Sequence, residues 1–182
     1  MANKCILIIG GARSGKSDYA QKLALSHGGD VLFVATAQAL DDEMRVRIEA
    51  HRKARPAEWR TLELTKGLGR RIPEHADDAG VVIIDCLTLL VSNLVGRGGS
   101  GEEAGRRVQR EISSLLRCLD GTNATFVIVS NEVGLGLVPD NPLGRLYRDL
   151  LGEANQAVAR RADEVYFMVA SMPLKLKGKT DE

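Results

Sequence analysis

An eight-residue stretch near the start of the chain has the residue types and spacing of a phosphate-binding loop. Residues 10–17 fit the pattern G-x-x-x-x-G-K-[ST]. In such a loop the glycines bring backbone N–H groups close to phosphate oxygens, and the lysine reaches the β and γ phosphates. Lys16 is therefore a candidate catalytic residue, and the Ser17 hydroxyl is a candidate Mg²⁺ ligand. The nucleotide-binding candidates in this stretch are Gly10, Gly11, Ala12, Arg13, Ser14, Gly15, Lys16 and Ser17.

The flanking residues supply the context that this loop needs. A short apolar run, Cys5–Ile9, precedes it and is typical of a buried parallel strand. The stretch Asp18–Leu25 follows and is rich in helix-forming residues. A helix N-terminus at this point would add partial positive charge to the phosphate site. The alternative is a chance glycine-rich turn, and the strand and helix on either side argue against it.

An acidic residue, Asp85, ends a second apolar run, Val81–Ile84. Open α/β sheets bind their ligands at the carboxyl ends of the strands, where this carboxylate would lie. Phosphate-loop enzymes use such a carboxylate to hold Mg²⁺, directly or through water. The sequence therefore predicts that Asp85 is a metal ligand. The alternative is an aspartate that caps the following helix.

A basic helix carries one histidine. Asp41 and the two acidic residues after it suit a helix start, and Pro56 ends the helix by constraining the residue before it. His51 shares a face with Arg47 and Arg55 at spacings of four residues. Arginines bind phosphates, and their charge favours a neutral, nucleophilic imidazole. The alternative is a solvated basic helix with a histidine at its edge.

Several polar residues follow other predicted strands. Thr36 and Glu63 end two of them, and Asn131 and Glu132 end another, near the place where a second substrate should lie. Residues of this kind are more often structural caps or solvated turn residues. For Glu63 and Glu132 a functional contact and a structural role are equally well supported.

Length and composition indicate one globular domain over residues 1–182. Apolar residues make up 44% of the 182 residues and charged residues 27%. The net charge of +1 and an aromatic content of 4% argue against a nucleic-acid-binding protein. The three cysteines are far apart, which favours reduced thiols. No apolar run is long enough for a membrane span or a signal peptide, so we expect a cytoplasmic protein.

Strand-like and amphipathic segments alternate, which predicts an α/β fold with a mainly parallel sheet. The polar tail from Lys175 is expected to fray, which leaves Glu164–Val169 as the final strand. The other predicted strands are Lys4–Ile9, Val31–Thr36, Trp59–Leu64, Gly80–Asp85 and Ala124–Ser130. The predicted helices are Lys16–Ser26, Asp41 to Lys53 or Arg55, the weakly helical Lys66–His75, Leu87–Val95, Glu102–Leu119 and Leu143–Arg161.

Several further motifs match one family in order. They are Ala-Thr-Ala at 35–37, Asp-Asp-Glu-Met at 41–44, Arg-Ile-x-x-His at 47–51, Arg-Pro-x-x-Trp-Arg at 55–60 and Asn-Glu-Val-Gly-Leu-Gly-Leu-Val-Pro at 131–139. With the phosphate loop, they make the chain resemble the bifunctional adenosylcobinamide kinase/adenosylcobinamide-phosphate guanylyltransferase family of cobalamin biosynthesis. The resemblance covers nearly the full length.

This resemblance implies two reactions. ATP or GTP phosphorylates adenosylcobinamide, and GTP then donates GMP to the adenosylcobinamide phosphate through a covalent guanylyl-histidine, which gives adenosylcobinamide-GDP and pyrophosphate. The resemblance makes His51 the nucleophile and Asp85 a position that is Glu in some relatives. It also implies a P-loop NTPase of the RecA-like α/β class and a homo-oligomer, a trimer in at least one member. Besides the phosphate loop, the nucleotide contacts it implies are Ala35, Thr36, Ala37, Arg52, Lys53, Ala54, Arg55, Glu63 and Asp85.

Two other functions compete with this interpretation. One is a P-loop kinase of a small metabolite that lacks guanylyltransferase activity, with a purely structural His51. The other is a RecA-like ATPase module that binds nucleic acid, against which the near-neutral charge and the few aromatic residues stand.

Overall fold

The fold is a seven-stranded sheet with helices on both faces. The computed structural model describes residues 4–39, 41–76 and 78–179. The strands are β1 Cys5–Gly10, β2 Asp30–Ala35, β3 Arg60–Glu63, β4 Ala79–Asp85, β5 Thr125–Asn131, β6 Glu164–Val169 and β7 Met172–Lys177. The helices are α1 Lys16–His27, α2 Asp42–Lys53, α3 Leu68–Arg71, α4 Leu87–Val95, α5 Gly101–Gly121 and α6 Pro142–Arg161.

The sheet order places the carboxyl ends of the central strands side by side. The strands run in the order β3-β2-β4-β5-β1-β6-β7, and the first six are parallel. In the register, Gly10 of β1 faces Asn131 of β5, and Val129 of β5 faces Asp85 of β4. The phosphate loop and Asp85 therefore share one edge of the sheet, with β5 between them. The predicted α/β fold with a mainly parallel sheet is confirmed.

The central strands are buried on both faces, which explains their unbroken apolar runs. Along β4, Val82 and Ile84 belong to one hydrophobic cluster, while Val81 and Ile83 belong to the other. The larger cluster contains residues of α3, α4, α5 and α6, and the smaller one contains residues of α1. Two packed layers hold these strands in one register, because a slip of one residue would exchange the faces of every side chain.

The sequence-based prediction of the C-terminal end was wrong. Glu164–Val169 is not the final strand, because the chain turns at Ala170 and Ser171 and returns as β7, antiparallel to β6. Pro173 argues against a strand in the sequence. Proline is nevertheless tolerated at a sheet edge, where its missing N–H costs no ladder hydrogen bond. The tail expected to fray from Lys175 is thus paired as far as residue 177, and residues 180–182 lie outside the described residues.

The other predicted elements differ from the observed ones mainly in their ends. The weak helix Lys66–His75 is a single turn, α3, and its first N–H groups are capped by the Glu111 carboxylate at 2.9 and 2.7 Å. α5 begins earlier than predicted because Ser100 and Glu103 form a capping box. The three cysteines are free and buried. Within residues 4–39, 41–76 and 78–179, no helix is long and apolar enough to cross a membrane.

We predict opposite effects on stability for two glycine-to-alanine changes. A Cβ at Gly69 of α3 would collide with the backbone carbonyl of Ser114 on α5, so Gly69→Ala should lower the free energy of unfolding by roughly 1–3 kcal/mol. Gly152 of α6 has no described atom within 4 Å of such a Cβ, so Gly152→Ala should raise it by roughly 0.5–1 kcal/mol. Urea unfolding measures both. Equal effects of the two changes would contradict the close approach of α3 to α5.

Candidate functional site

A cleft of about 580 Å³ lies at the carboxyl edge of the parallel strands. Its walls come from the loop after β1, the ends of β2, β4 and β5, and helix α2. The residues that line it are Ala12, Arg13, Ser14, Gly15, Lys16, Ser17, Asp18, Ala35, Ala37, Ala39, Met44, Arg45, Arg47, Ile48, Glu49, His51, Arg52, Arg55, Glu63, Asp85, Cys86, Thr88, Leu89, Val129, Asn131 and Ser171.

The phosphate loop has a backbone shape that requires glycine at one position. Gly15 precedes α1 with a φ of 88°, in the left-handed region, and no side chain caps the N-terminus of the helix. A Cβ at Gly15 would also lie 2.8 Å from the Ser171 hydroxyl oxygen. The first N–H groups of α1 therefore face the cleft without a capping side chain, as an anion site at a helix N-terminus requires.

The Lys16 ammonium lies inside the loop rather than in solvent. It donates hydrogen bonds to the carbonyl oxygen of Gly11 at 2.5 Å and to the Ser14 hydroxyl at 3.4 Å. Burial lowers the pKa of Lys16, and the Asp85 carboxylate partly offsets that shift, while Arg47 adds to it. A partly desolvated ammonium near these charges interacts strongly with a phosphate, since its attraction is screened less than in water.

The β6–β7 hairpin supports the phosphate loop from behind. The Ser171 N–H donates to the Ser14 carbonyl oxygen at 3.0 Å, and a Cβ at Gly10 would lie 2.6 Å from the Met168 carbonyl oxygen. No local sequence pattern predicts this contact, because the loop at residues 10–17 and the hairpin at residues 164–177 lie near opposite ends of the chain. The hairpin turn thus fixes the loop and contributes Ser171 to the cleft.

A buried threonine joins the ends of β2 and β4. The Thr36 hydroxyl donates to the Cys86 carbonyl oxygen at 2.7 Å and accepts from the Cys86 N–H at 2.8 Å. The Thr36 N–H donates to the Asp85 carbonyl oxygen at 3.1 Å. Thr36 is fully buried and does not line the cleft, so its side chain acts by holding Asp85 and Cys86 in place.

Helix α2 forms one wall of the cleft, and every residue in it keeps part of its side chain exposed. Asp41 caps the helix by accepting from the Met44 N–H at 2.7 Å. His51 faces the cleft from this wall, and Arg52 forms an ion pair with Glu63 at the end of β3. The histidine and the phosphate loop thus contribute to a single cavity, although α2 adds no fully buried side chain to the core.

Arg55 is anchored just after α2 by an aromatic pair. Its guanidinium carbon lies 3.7 Å from the ring centroid of Phe33, and Phe33 stacks on Trp59 at 6.4 Å. Burial lowers the pKa of Arg55, and the Asp85 carboxylate opposes that shift. The Nε of Arg55 is buried and has no hydrogen-bond partner among the described residues. The stacked guanidinium lines the cleft, where its terminal nitrogens can donate to a ligand.

Most of the predicted site residues meet in this cleft. Six do not line it: Gly10, Gly11, Thr36, Lys53, Ala54 and Glu132. Residues that sequence reasoning missed include Thr88 and Ser171, which carry no motif of their own. Arginine and lysine side chains outnumber carboxylates in the lining, so the cleft suits a polyphosphate.

Comparison with known proteins identifies the family. The model of the cobinamide kinase / cobinamide phosphate guanyltransferase family matches residues 6–176. The chain belongs to this family. It is 44% identical over 173 residues, 95% of its length, to the bifunctional adenosylcobalamin biosynthesis protein CobP of Pseudomonas aeruginosa, and the match covers 97% of that protein. The bifunctional adenosylcobalamin biosynthesis protein CobU of Escherichia coli is 39% identical over 180 residues, 94% of this chain and 99% of its own.

These matches confirm the resemblance stated from the motifs and the expectation of a transferase. A more distant likeness concerns the fold alone. A solved structure from Pyrococcus horikoshii, titled as a structural study of project PH0250, has a TM-score of 0.58 at 7% identity. The match covers 98% of this chain and 88% of the other one, so the two proteins share the arrangement of strands and helices over almost all of this chain.

We predict that Arg55→Lys weakens nucleotide binding. A lysine lacks the planar group that stacks on Phe33 and the fixed fork of donors, so the Kd for a non-hydrolysable GTP analogue should rise about 10-fold, or roughly 1.4 kcal/mol. Titration calorimetry measures it, with Arg97→Lys, outside the cleft, as the matched control. An unchanged Kd in Arg55→Lys would exclude a contact between this guanidinium and the nucleotide.

Proposed function

We propose that this chain phosphorylates adenosylcobinamide with ATP or GTP and then transfers GMP from GTP to the adenosylcobinamide phosphate. Family membership over residues 6–176 supports both reactions. The observation that carries the proposal is that His51 and the phosphate loop line one cleft. A nucleophile beside a triphosphate site is what distinguishes nucleotide transfer from simple phosphoryl transfer.

In the kinase step the loop and Lys16 bind the triphosphate and spread the charge on its γ-phosphoryl group. The adenosylcobinamide hydroxyl oxygen forms a bond to the γ phosphorus, and the bond to the bridging oxygen breaks with its electrons on the leaving nucleoside diphosphate. Little covalent chemistry is required of the protein, so the positions of the donors determine the rate. The hydrogen bonds of Lys16 to Gly11 and Ser14 show how the loop orients it.

In the guanylyl step a nitrogen of the His51 imidazole attacks the α phosphorus of GTP. The bond between the α phosphorus and the bridging oxygen breaks, pyrophosphate leaves, and a phosphorus–nitrogen bond joins GMP to the ring. The phosphate of adenosylcobinamide phosphate then displaces the imidazole and forms adenosylcobinamide-GDP. Imidazole suits this role because it is both a good nucleophile and a group that leaves readily.

The residues present fit a Mg²⁺ ion bound chiefly through substrate. In the part of the chain that the structure describes, no group of three or more His, Cys, Asp or Glu side chains could hold a metal. Asp85 and Ser17 line the cleft, and one carboxylate and one hydroxyl with substrate phosphates are a common Mg²⁺ environment. Bound there, the ion would neutralise charge on the phosphates. Asp85 and Ser17 are the side chains that would hold it.

The remaining nucleotide contacts are proposed for residues on the walls of the cleft. The guanidiniums of Arg52 and Arg55 suit phosphate or base contacts, and Glu63 at the end of β3 forms an ion pair with Arg52. Ala35 and Ala37 line the cleft on either side of Thr36, where small side chains let a ligand approach the backbone. Lys53 and Ala54 lie outside the lining and would contact a nucleotide only if α2 moved closer to it.

The domain organisation, oligomeric state and location of the protein are also proposals. Residues 1–182 would act as one kinase and guanylyltransferase domain, since one sheet positions every wall of the cleft. Homo-oligomerisation, as a trimer, and a cytoplasmic location remain proposals. A metabolite kinase without guanylyltransferase activity is the main rival, and a RecA-like ATPase module that binds nucleic acid is the other.

We predict that GTP labelled at the α phosphorus labels the protein. The label should be lost in acid and stable in alkali, as a phosphoramidate is, and GTP labelled at the γ phosphorus should leave the protein unlabelled. His51→Ala should abolish the labelling. His27→Ala, at the end of α1 and outside the cleft, is the matched control and should keep it.

The rival functions give different results in the same experiment. A metabolite kinase would take no α label, and a phosphohistidine would take label only from the γ position. Equal labelling of the wild type and of His51→Ala would remove His51 from the reaction. Binding of single-stranded DNA at micromolar concentrations, weakened by salt, would favour the ATPase module.

A further inference from the structure

Asn131 stands between the two parts of the phosphate site. It is the last residue of β5, the strand that lies between β1 and β4. In the register it faces Gly10, where the phosphate loop begins, and Val129 two residues earlier faces Asp85. Val129 and Asn131 both line the cleft, as alternate residues of one strand should. The position therefore bridges the gap between the loop and the Asp85 carboxylate.

The backbone of Asn131 is fixed on both sides. Its N–H donates to the Thr88 hydroxyl oxygen at 2.7 Å, and its carbonyl oxygen accepts from Asn155 Nδ2 at 3.1 Å. Asn155 Oδ1 accepts in turn from the Ser130 hydroxyl at 2.6 Å, and Ser130 is fully buried. A satisfied buried network of this kind is rigid. It ties α4, α6 and the end of β5 into one unit.

A further hydrogen bond ties this unit to the phosphate loop. The N–H of Glu132 donates to the Gly10 carbonyl oxygen at 3.0 Å. Two contacts therefore hold the end of β5 against the start of the loop. They are the pairing of β5 with β1 and the hydrogen bond from Glu132, the residue after β5. A nucleotide held by the loop would lie at a set distance from the Asn131 side chain.

The side-chain amide of Asn131 is available to a ligand. None of the hydrogen bonds found among residues 4–39, 41–76 and 78–179 uses it, whereas its backbone N–H and carbonyl are both paired. An amide offers two donors on nitrogen and an acceptor on oxygen. It can therefore donate to a phosphoryl oxygen and accept from a hydroxyl at the same time.

We propose that the Asn131 amide contacts the γ-phosphoryl group and the acceptor hydroxyl in the kinase step. This inference rests on the proposed function. Lys16 reaches the β and γ phosphates in loops of this type, and Lys16, Asp85 and Asn131 line the same cleft. In the proposed arrangement the γ end of the triphosphate lies near the ends of β4 and β5, where Asp85 and Asn131 are the last residues. Under the proposed function the α phosphorus lies within reach of His51, on the wall formed by α2.

The amide would act by orientation and by hydrogen bonding without losing a proton. As the acceptor oxygen bonds to the γ phosphorus and the nucleoside diphosphate departs with the bridging oxygen, Nδ2 donates to a phosphoryl oxygen. Oδ1 accepts the hydrogen bond of the attacking hydroxyl, whose proton then passes to the transferred phosphoryl group or to water. A donor aimed at charge that develops in the transition state affects kcat more than KM.

The test is Asn131→Ala, compared with Asn123→Ala. Asn123 precedes the same strand at its opposite end and is exposed, so it is a matched control. Transfer of γ label from ATP to adenosylcobinamide should fall about 100-fold in kcat for Asn131→Ala, with a KM for nucleotide within about 3-fold of wild type. The covalent labelling rate from α-labelled GTP should fall far less. Thermal unfolding of each variant checks the fold.

A second variant tests whether the support of the Asn131 backbone matters for the kinase step. Thr88→Val removes the hydroxyl that holds the Asn131 N–H, so it should lower kinase kcat in the same direction but by a smaller factor. Equal losses in kinase rate and in α labelling in Asn131→Ala would overturn the proposal, and so would a kinase kcat within 2-fold of wild type.

A different result would contradict the proposed function itself, namely that wild-type protein transfers no γ label to adenosylcobinamide. The slow release of γ-phosphate to water then replaces that transfer as the readout. A rate for Asn131→Ala well below that of the wild type and Asn123→Ala would support the contact with the γ-phosphoryl group. A rate equal to theirs would overturn it.

Discussion

The parallel register of β1, β5 and β4 is the constraint on which the rest of the structure depends. It places Gly10, Asn131 and Asp85 at one edge of the sheet, although these residues are far apart in the chain. Two apolar layers maintain the register, because every strand residue that slipped would carry its side chain to the wrong face. Hydrogen bonds of the buried side chains of Thr36 and Asn155 then fix the ends of the strands. The cleft is therefore rigid on its floor.

The wall formed by α2 is held in place by different interactions from those of the sheet. Its residues all remain partly exposed, so packing contributes little to its position, and ion pairs and stacking at its C-terminal end replace a core. Exposed ion pairs typically contribute up to about 1 kcal/mol, which suits a wall that adjusts to a ligand. A cavity with a fixed floor and a weakly held wall offers a triphosphate one well-defined end and one adaptable end. Under the proposed function, such a site would let two different phosphorus atoms be attacked.

The sequence predicts where the loop and Asp85 lie in the fold, but it does not predict the hydrogen bonds that support them. The loop and Asp85 were found because glycine spacing and a carboxylate after an apolar run are local signals with a direct physical meaning. A nucleotide contact of Thr36 stays a prediction, but the hydrogen bonds of its hydroxyl with the Cys86 backbone follow from no local pattern. The β6–β7 hairpin was missed because Pro173 resembles a strand breaker, and its contact with Ser14 joins distant parts of the chain. Long-range hydrogen bonds of this kind leave no mark in the local pattern.

The central claim is that one triphosphate site serves both the loop and His51. A crystal structure of the wild-type protein with Mg²⁺ and a GTP analogue that cannot be cleaved between its α and β phosphates tests it most directly. The account predicts the β and γ phosphates in the loop of residues 10–17, and a ring nitrogen of His51 about 3–3.5 Å from the α phosphorus. A bound analogue with that ring remote from every phosphorus atom, and α2 too firmly placed to bring it nearer, would contradict the account.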